Sequence, residues 1–377
     1  LGSGKGIYLP NLNALRCIAA SLVVLHHVEQ VSFLNGWINF WHIPFVESVG
    51  NTAVNLFFVL SGYLITYLLM QEREQTQTIS ILDFYIRRTL RIWPLYFLIV
   101  GTGLFVWPHL EIMKLANIGN QLLDQHFWEA VVMFVFFLPN YFLNYFGAVP
   151  HMAQVWSIGI EEQFYLIWPW IISRSKNVLR TVFLFILLFN LLRIALKLGG
   201  HFHLVDGKFY VPPLTCLAIG GFFSLLHYYK DRNVLYHWLL KVPFQWATLL
   251  LILTLVALGY YQPFIHQEMY AFFFGILVLQ ASSGKWILHL EREPFLFLGR
   301  ISYGLYMYHP ILLVLTINLL IRAGMESRWL LYALTYGSTV LVAWLSYRFV
   351  EEPFIRKKLA FTKILSGDFA RPESEKS

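Results

Sequence analysis

Apolar runs of about twenty residues follow one another almost from end to end of the chain, separated by short polar connections. A membrane-spanning helix needs about 20 mostly apolar residues, whereas a spanning barrel shows roughly ten-residue segments of alternating polarity. The pattern predicts helices, with candidate spans near 12–28, 53–71, 89–107, 127–146, 155–173, 177–197, 210–228, 245–262, 265–283, 301–321 and 329–350. The expected fold class is all-α, a polytopic membrane helix bundle. The first run is read as a helix and not as a cleaved signal peptide, because Arg16 interrupts it and His26 and His27 stand where a small-residue cleavage site belongs. The opening LGSGKG reads as a cloning remnant or flexible start. The expected map is therefore 1–8 as that start, 9–357 as one membrane domain, and 358–377, ending RPESEKS, as a disordered cytoplasmic tail.

The placement of Lys and Arg sets the orientation. Residues 29–52 carry neither, whereas 72–91 carry Arg73, Arg87, Arg88 and Arg91, so the former are expected outside and the latter in the cytoplasm. Later basic clusters agree, and both termini come out cytoplasmic, in a plasma membrane. Two cytoplasmic ends require an even number of crossings, and eleven candidates is odd. The suspect lies between 89 and 146, where Pro94, Pro108 and Pro139 interrupt the pattern and 109–126 reads as an interfacial piece. About ten crossings are expected.

Composition sharpens this picture without changing it: 58% hydrophobic, 18% aromatic and 13% charged residues over 377 positions, with a mean hydropathy of +0.58. The net charge of +7 follows from the positive-inside bias, so membrane lipids and not nucleic acid are the expected partners. Two cysteines in apolar surroundings, Cys17 and Cys216, support neither a disulfide framework nor a thiolate metal site, and no metal is expected.

Ionisable residues inside spans cost roughly 2.5–3.5 kcal/mol each on insertion scales and so mark functional candidates. Arg16 and His27 are eleven residues apart, which at 100° per residue leaves them about 20° apart on one helix face and roughly 16 Å apart along it. His26 lies about 80° off that face. In SILDFYIRRTLRIWPLYF, Arg88 and Arg91 are helical neighbours with Arg87 beside them, a cluster suited to phosphate oxygens. In VWSIGIEEQFYLIWP, Ser157, Glu161 and Tyr165 share a face while Glu162 points about 100° away. Each group has a bland alternative: snorkelling or interfacial side chains for Arg16 and the histidines, headgroup contact for the arginines, helix-to-helix pairing for the glutamates. Ser61 and Gly62 in FFVLSGYLIT suit close helix packing. His309 in SYGLYMYHP is either an interior contact or a second site histidine.

Taken together and in this order, these segments resemble acyltransferase family 3, multi-pass membrane O-acyltransferases common in bacteria. The match runs over about residues 9–355 and includes LNALRCIAASLVVLHH, FFVLSGYLI, FYIRRTLRIWPLY, WSIGIEEQFYLIWP, ISYGLYMYHP and YRFVEEPF. The resemblance implies a ten-helix protein of the bacterial inner membrane. It implies transfer of an acyl group, usually acetyl, from cytoplasmic acyl-CoA to a hydroxyl of a carbohydrate or glycolipid acceptor on the outer or periplasmic side. Acetyl-CoA is then a donor substrate, and no permanently bound cofactor is expected. Carried over residue by residue, the family's arginine and histidine fall on Arg16 and His27, its basic motif on Arg88 and Arg91 with Arg87 adjoining, and its glutamate motif on Glu161 and Glu162. Asn13 departs from the Asp that relatives often carry there. Some relatives add a C-terminal extracytoplasmic hydrolase-like domain; none follows in these residues, so such a partner is expected to be a separate protein or unnecessary.

On this resemblance His27 is the general base for a sugar hydroxyl, worth about a hundred- to ten-thousand-fold in rate. Arg16 and Glu161 complete the catalytic set, Glu161 either orienting His27 or pairing with an arginine. Arg87, Arg88 and Arg91 bind the donor, and Glu162, Tyr165, Ser157, His309 and Ser61 support the site or touch substrate. Direct transfer and an acyl-histidine intermediate both fit. A transporter or channel is the rival reading, since the same residue types line proton and substrate pathways, but no repeated halves are visible. A sensor or scaffold that lost the chemistry is a third, and the intact Arg16 and His27 pair speaks against it.

Overall fold

The computed structural model describes residues 6–114, 121–149, 151–199, 212–262 and 265–367. Sixteen α-helices occur among these residues: α1 Leu12–Leu34, α2 Pro44–Thr76, α3 Ile81–Phe105, α4 Gln121–Gln125, α5 Phe127–Val135, α6 Pro139–Tyr145, α7 Trp156–Arg174 and α8 Val178–Leu198, then α9 Leu214–Tyr228, α10 Val234–Leu239, α11 Val242–Ala257, α12 His266–Ser282, α13 Glu293–Arg300, α14 Ser302–Arg322, α15 Arg328–Ser346 and α16 Glu352–Lys358. The one extended pairing among the described residues is an isolated bridge between Ile7 and Ser366.

Among the described residues, six helices are long and apolar enough to cross a membrane: α1, α2, α3, α8, α14 and α15. Shorter apolar helices include α9 and α11. Leu187, Leu188, Leu191 and Leu192 of α8 are exposed, an apolar face of the kind that hydrocarbon solvates. The buried core runs through α1, α2, α3, α7, α9, α12 and α14, with Tyr63, Tyr96 and Trp168 among its largest enclosed side chains.

Among the described residues, the sequence-predicted spans at 210–228, 245–262 and 265–283 form helices of 15, 16 and 17 residues, and 127–146 breaks. It forms α5 and α6, nine and seven residues, neither approaching the length a crossing needs. The chain turns at Phe137, which takes a left-handed φ of 57°, and Pro139 begins the second piece. A proline restricts the residue before it and carries no N–H for a continuing helix. Pro94, by contrast, is accommodated inside a continuous α3. Residues 107–113 form two 3₁₀ turns where the interfacial piece was expected to begin, and 115–120 lie outside the described residues.

The closest helix crossing is between α2 and α9. A Cβ added at Gly62 would stand 1.8 Å from the Leu217 carbonyl oxygen, and one at Gly220 would stand 2.1 Å from that of Val59. Both neighbours are backbone and cannot step aside, so the small residue beside Ser61 does what the sequence suggested. Gly62→Val is expected to cost about 1–3 kcal/mol or more by overpacking. Thermal unfolding in detergent should show a lowered midpoint for it, and none for Gly337→Ala, which faces open space.

Both chain ends fold onto one end of the bundle. The Ile7 amide donates to the Leu365 carbonyl at 2.8 Å, and the Tyr8 hydroxyl donates to Glu291. Residues 1–5 of the expected start and 368–377 of the expected tail lie outside the described residues.

Candidate active site

At that end of the bundle a cavity of about 720 Å³ opens between α1, α3, α13, α15 and α16. Six cationic side chains line it, Arg16, Arg88, Arg91, Arg300, Arg348 and Lys358, against two carboxylates, Glu293 and Glu352. Glu352 accepts from Arg348 at 2.7 Å and from Arg356 at 2.6 Å, so part of its charge is committed to the rim. A π-helical turn, Tyr347–Glu351, follows α15 and carries Tyr347 and Arg348 into the lining. Arg88 leans on the rings of Phe84 and Tyr165, each 5.7 Å from its guanidinium carbon, and its buried Nε has no hydrogen-bond partner. Arg87 does not join this lining. It pairs with Glu72 at 2.8 Å and donates to the Phe361 carbonyl at 2.8 Å.

Arg16, Leu64, Arg88 and Arg91 also line a smaller chamber of about 130 Å³ deeper in the bundle. The chamber is walled by Ser61 of α2, Ser157, Glu161 and Tyr165 of α7, and Ser302, Tyr303 and Tyr306 of α14. The Tyr165 hydroxyl donates to Glu161 Oε2 at 2.5 Å and is itself hydrogen-bonded to Ser61. Since a carboxylate only accepts, the order of donation runs Ser61 to Tyr165 to Glu161. Arg88 and Arg16 line the same chamber as Glu161. The helical phase read from the sequence holds: Ser157, Glu161 and Tyr165 face one chamber, while Glu162 accepts from the Trp93 indole at 3.2 Å on another side. Asn13 accepts from Arg16 at 3.1 Å, so its amide oxygen orients the guanidinium.

The two histidines part company as the phase predicts. His26 is buried beside Gly50, with its Nδ1 2.8 Å from the Val46 carbonyl. His27 turns to α14, where its Nδ1 lies 3.3 Å from Nε2 of the fully buried His309. His309 Nδ1 is 2.7 Å from the Tyr306 carbonyl, and His27 Nδ1 is 2.9 Å from the Val23 carbonyl. Carbonyls only accept, so both neutral rings carry hydrogen on Nδ1. His309 Nε2 then shares, with the Val23 carbonyl, the one hydrogen on His27 Nδ1, and His27 Nε2 keeps its lone pair. His27 does not itself line the chamber; Tyr306 does, its ring 5.9 Å from His309.

Several lining residues were not singled out from the sequence. Tyr306 bonds to Ser157 at 2.8 Å and donates to the Gln154 carbonyl at 2.8 Å, and the Gln154 amide donates to the Met307 carbonyl at 2.8 Å. Tyr303 donates to the Ile92 carbonyl at 3.0 Å. The signal for Tyr306 was in SYGLYMYHP, where positions 302, 306 and 309 recur at helical spacing. Arg300, Arg348 and Lys358 look like orientation charges until the fold gathers them.

The family model described as an acyltransferase domain matches residues 9–348, nearly the whole chain. The chain belongs to acyltransferase family 3. Among curated relatives, the peptidoglycan O-acetyltransferase OatA of Listeria monocytogenes is 29% identical over 372 residues, 93% of this chain and 56% of the relative. The O-acetyltransferase OatA of Staphylococcus aureus is 27% identical over 395 residues, 97% of this chain and 60% of the relative. The chain thus spans a little over half the length of these relatives. No solved structure matches it.

Proposed function

We propose that this family 3 chain is a membrane O-acetyltransferase that crosses the bilayer about ten times, with both termini and the basic cavity facing the cytoplasm. The donor is acetyl-CoA or another acyl-CoA, and the acceptor is a carbohydrate hydroxyl on the far side, peptidoglycan being the one that a relative's name carries. The observation that carries this reading is the cation-lined cavity and the chamber beside it, whose linings share Arg16, Arg88 and Arg91. Several phosphates of CoA would sit among the guanidinium groups, which bind such oxygens in bidentate fashion. The thin pantetheine arm would then follow the shared wall inward and bring the thioester to the Tyr306 end. Arg87, tied to Glu72, would brace this mouth instead of binding donor.

His27 Nε2 would take the proton from the acceptor hydroxyl as its oxygen attacks the thioester carbonyl. Collapse of the tetrahedral intermediate would break the C–S bond, and the proton held by His27 would pass to the departing thiolate, giving an ester and free CoA. His309 would hold the His27 ring in the tautomer this requires. Arg16, with Glu161 and its Tyr165 and Ser61 partners, would set the charge along the arm's path. No step uses a metal, and no resident cofactor is invoked. Purified protein given acetyl-CoA and an N-acetylglucosamine tetrasaccharide should yield sugar heavier by one acetyl group, by mass spectrometry. Absence of both acetylated sugar and acetyl-CoA turnover would overturn this reading.

A further inference from the structure

A second large cavity, of about 660 Å³, lies on the far side of the chamber from the arginines, between the first half of α2, α6, the start of α7 and α12. Its chemistry is the reverse of the basic cavity. Arginine and lysine are missing from its lining, and Glu47 is the one carboxylate. In their place stand amides: Asn51, Asn55, Asn140, Asn144 and Gln267.

Three atoms in this lining are buried and have no hydrogen-bond partner within the described chain: Asn55 Oδ1, Gln267 Oε1 and His266 Nδ1. Asn55 is only 5% exposed. Its Nδ2 donates to the Gln267 carbonyl at 2.6 Å, which fixes the amide with its oxygen unused. Buried polar atoms are normally paired, so three unpaired ones, all on residues that line one cavity, point to a ligand with hydrogen-bond donors. Amides both donate and accept, as sugar hydroxyls do. Trp156 and Tyr261 in the same lining offer aromatic faces to the apolar side of a sugar ring. The size is in the range of about 300–1,000 Å³ typical of small-molecule sites.

Phe58 lines both this cavity and the chamber. It is 3% exposed and meets Trp156 edge to face, ring centroids 6.0 Å apart. Phe58 therefore borders both spaces. We propose that this cavity is the acceptor subsite. It binds an uncharged, hydroxyl-rich sugar segment through Asn55, Gln267 and His266, with Phe58 dividing acceptor from donor. The assignment of the sugar as acceptor rests on the acyl-transfer reading; the binding of sugar at this place does not.

The test uses the full chain in detergent, an N-acetylglucosamine tetrasaccharide and acetyl-CoA. Calorimetry first measures sugar binding without donor, for wild type, Asn55→Leu, Gln267→Ala and the cavity-filling Asn51→Trp, whose parent side chain is exposed and whose folding is therefore the safest. Sugar affinity is expected to fall about tenfold in each, as loss of a hydrogen bond to a ligand implies. In transfer assays the acceptor KM should rise to match, while the acetyl-CoA KM moves by less than about twofold, a split that a general folding defect would not produce. Wild-type binding with unchanged affinity in Gln267→Ala and Asn51→Trp overturns the subsite, as does wild type that acetylates the sugar while all three variants keep its acceptor KM. Sugar binding that the variants abolish, in protein that never transfers acetyl, would keep the subsite and remove the acyl-transfer reading instead.

Discussion

Replacing His27 with alanine is expected to lower acetyl transfer by about a hundred- to ten-thousand-fold, the range a positioned general base supplies. A sugar hydroxyl is a weak nucleophile near neutrality, and the proposed mechanism uses as its base His27 Nε2, the ring nitrogen that the contacts to Val23 and His309 leave unused. His26→Ala is the informative comparison. That ring packs against Gly50 and the Val46 carbonyl, and its loss should act through the α1 to α2 contact, lowering stability more than turnover. His309→Ala should fall between the two, because it frees the His27 tautomer without removing the base. Radiolabel transfer, normalised to folded protein, orders the three variants; equal activity in His27→Ala and His26→Ala would remove His27 from the chemistry.

The second large effect is on donor binding. Arg88→Ala is expected to raise the Kd for CoA by about ten- to a hundredfold, since a hydrogen bond to a charged group contributes about 1.5–3 kcal/mol. Arg88 lines both cavities, and its buried Nε has no hydrogen-bond partner among the described residues. Arg88→Lys should recover only part of the affinity, because an ammonium cannot reproduce the planar fork. Arg87→Ala should leave CoA affinity near wild type and reduce stability, since Arg87 is committed to Glu72 and Phe361. Calorimetric titration of CoA into the three variants separates these roles, and CoA affinity unchanged in Arg88→Ala would take the basic cavity out of donor binding.

Much of this arrangement is legible in the sequence because it is periodic. The four-residue steps from Ser157 to Tyr165 assign a face before any packing is known, and that face lines the chamber; the eleven-residue interval puts Arg16 and His27 on one cavity, but His27 turns to His309 and does not line it. The choice of the broken segment was not legible. Pro94, Pro169 and Pro310 all sit inside continuous helices, while Pro139 begins a new one after a turn at Phe137. Whether neighbours accommodate a proline depends on tertiary packing, which local pattern does not carry. The pairing of His27 with His309 was hidden for a similar reason: it needs α1 and α14 side by side, 282 residues apart in the chain. The far cavity left still less trace, since its amides come from separate helices and each is unremarkable where it stands.

Transport is the remaining competitor, and it differs from acyl transfer in what becomes of the acetyl group. Proteoliposomes containing the full chain, with an N-acetylglucosamine tetrasaccharide sealed inside and radiolabelled acetyl-CoA outside, test this in one measurement. For molecules inserted with the basic cavity outward, label should accumulate on the enclosed sugar with wild-type protein and fall to background with His27→Ala. Enclosed sugar that stays unlabelled while sugar and donor on the same side react, or equal labelling in both proteins, would contradict the account.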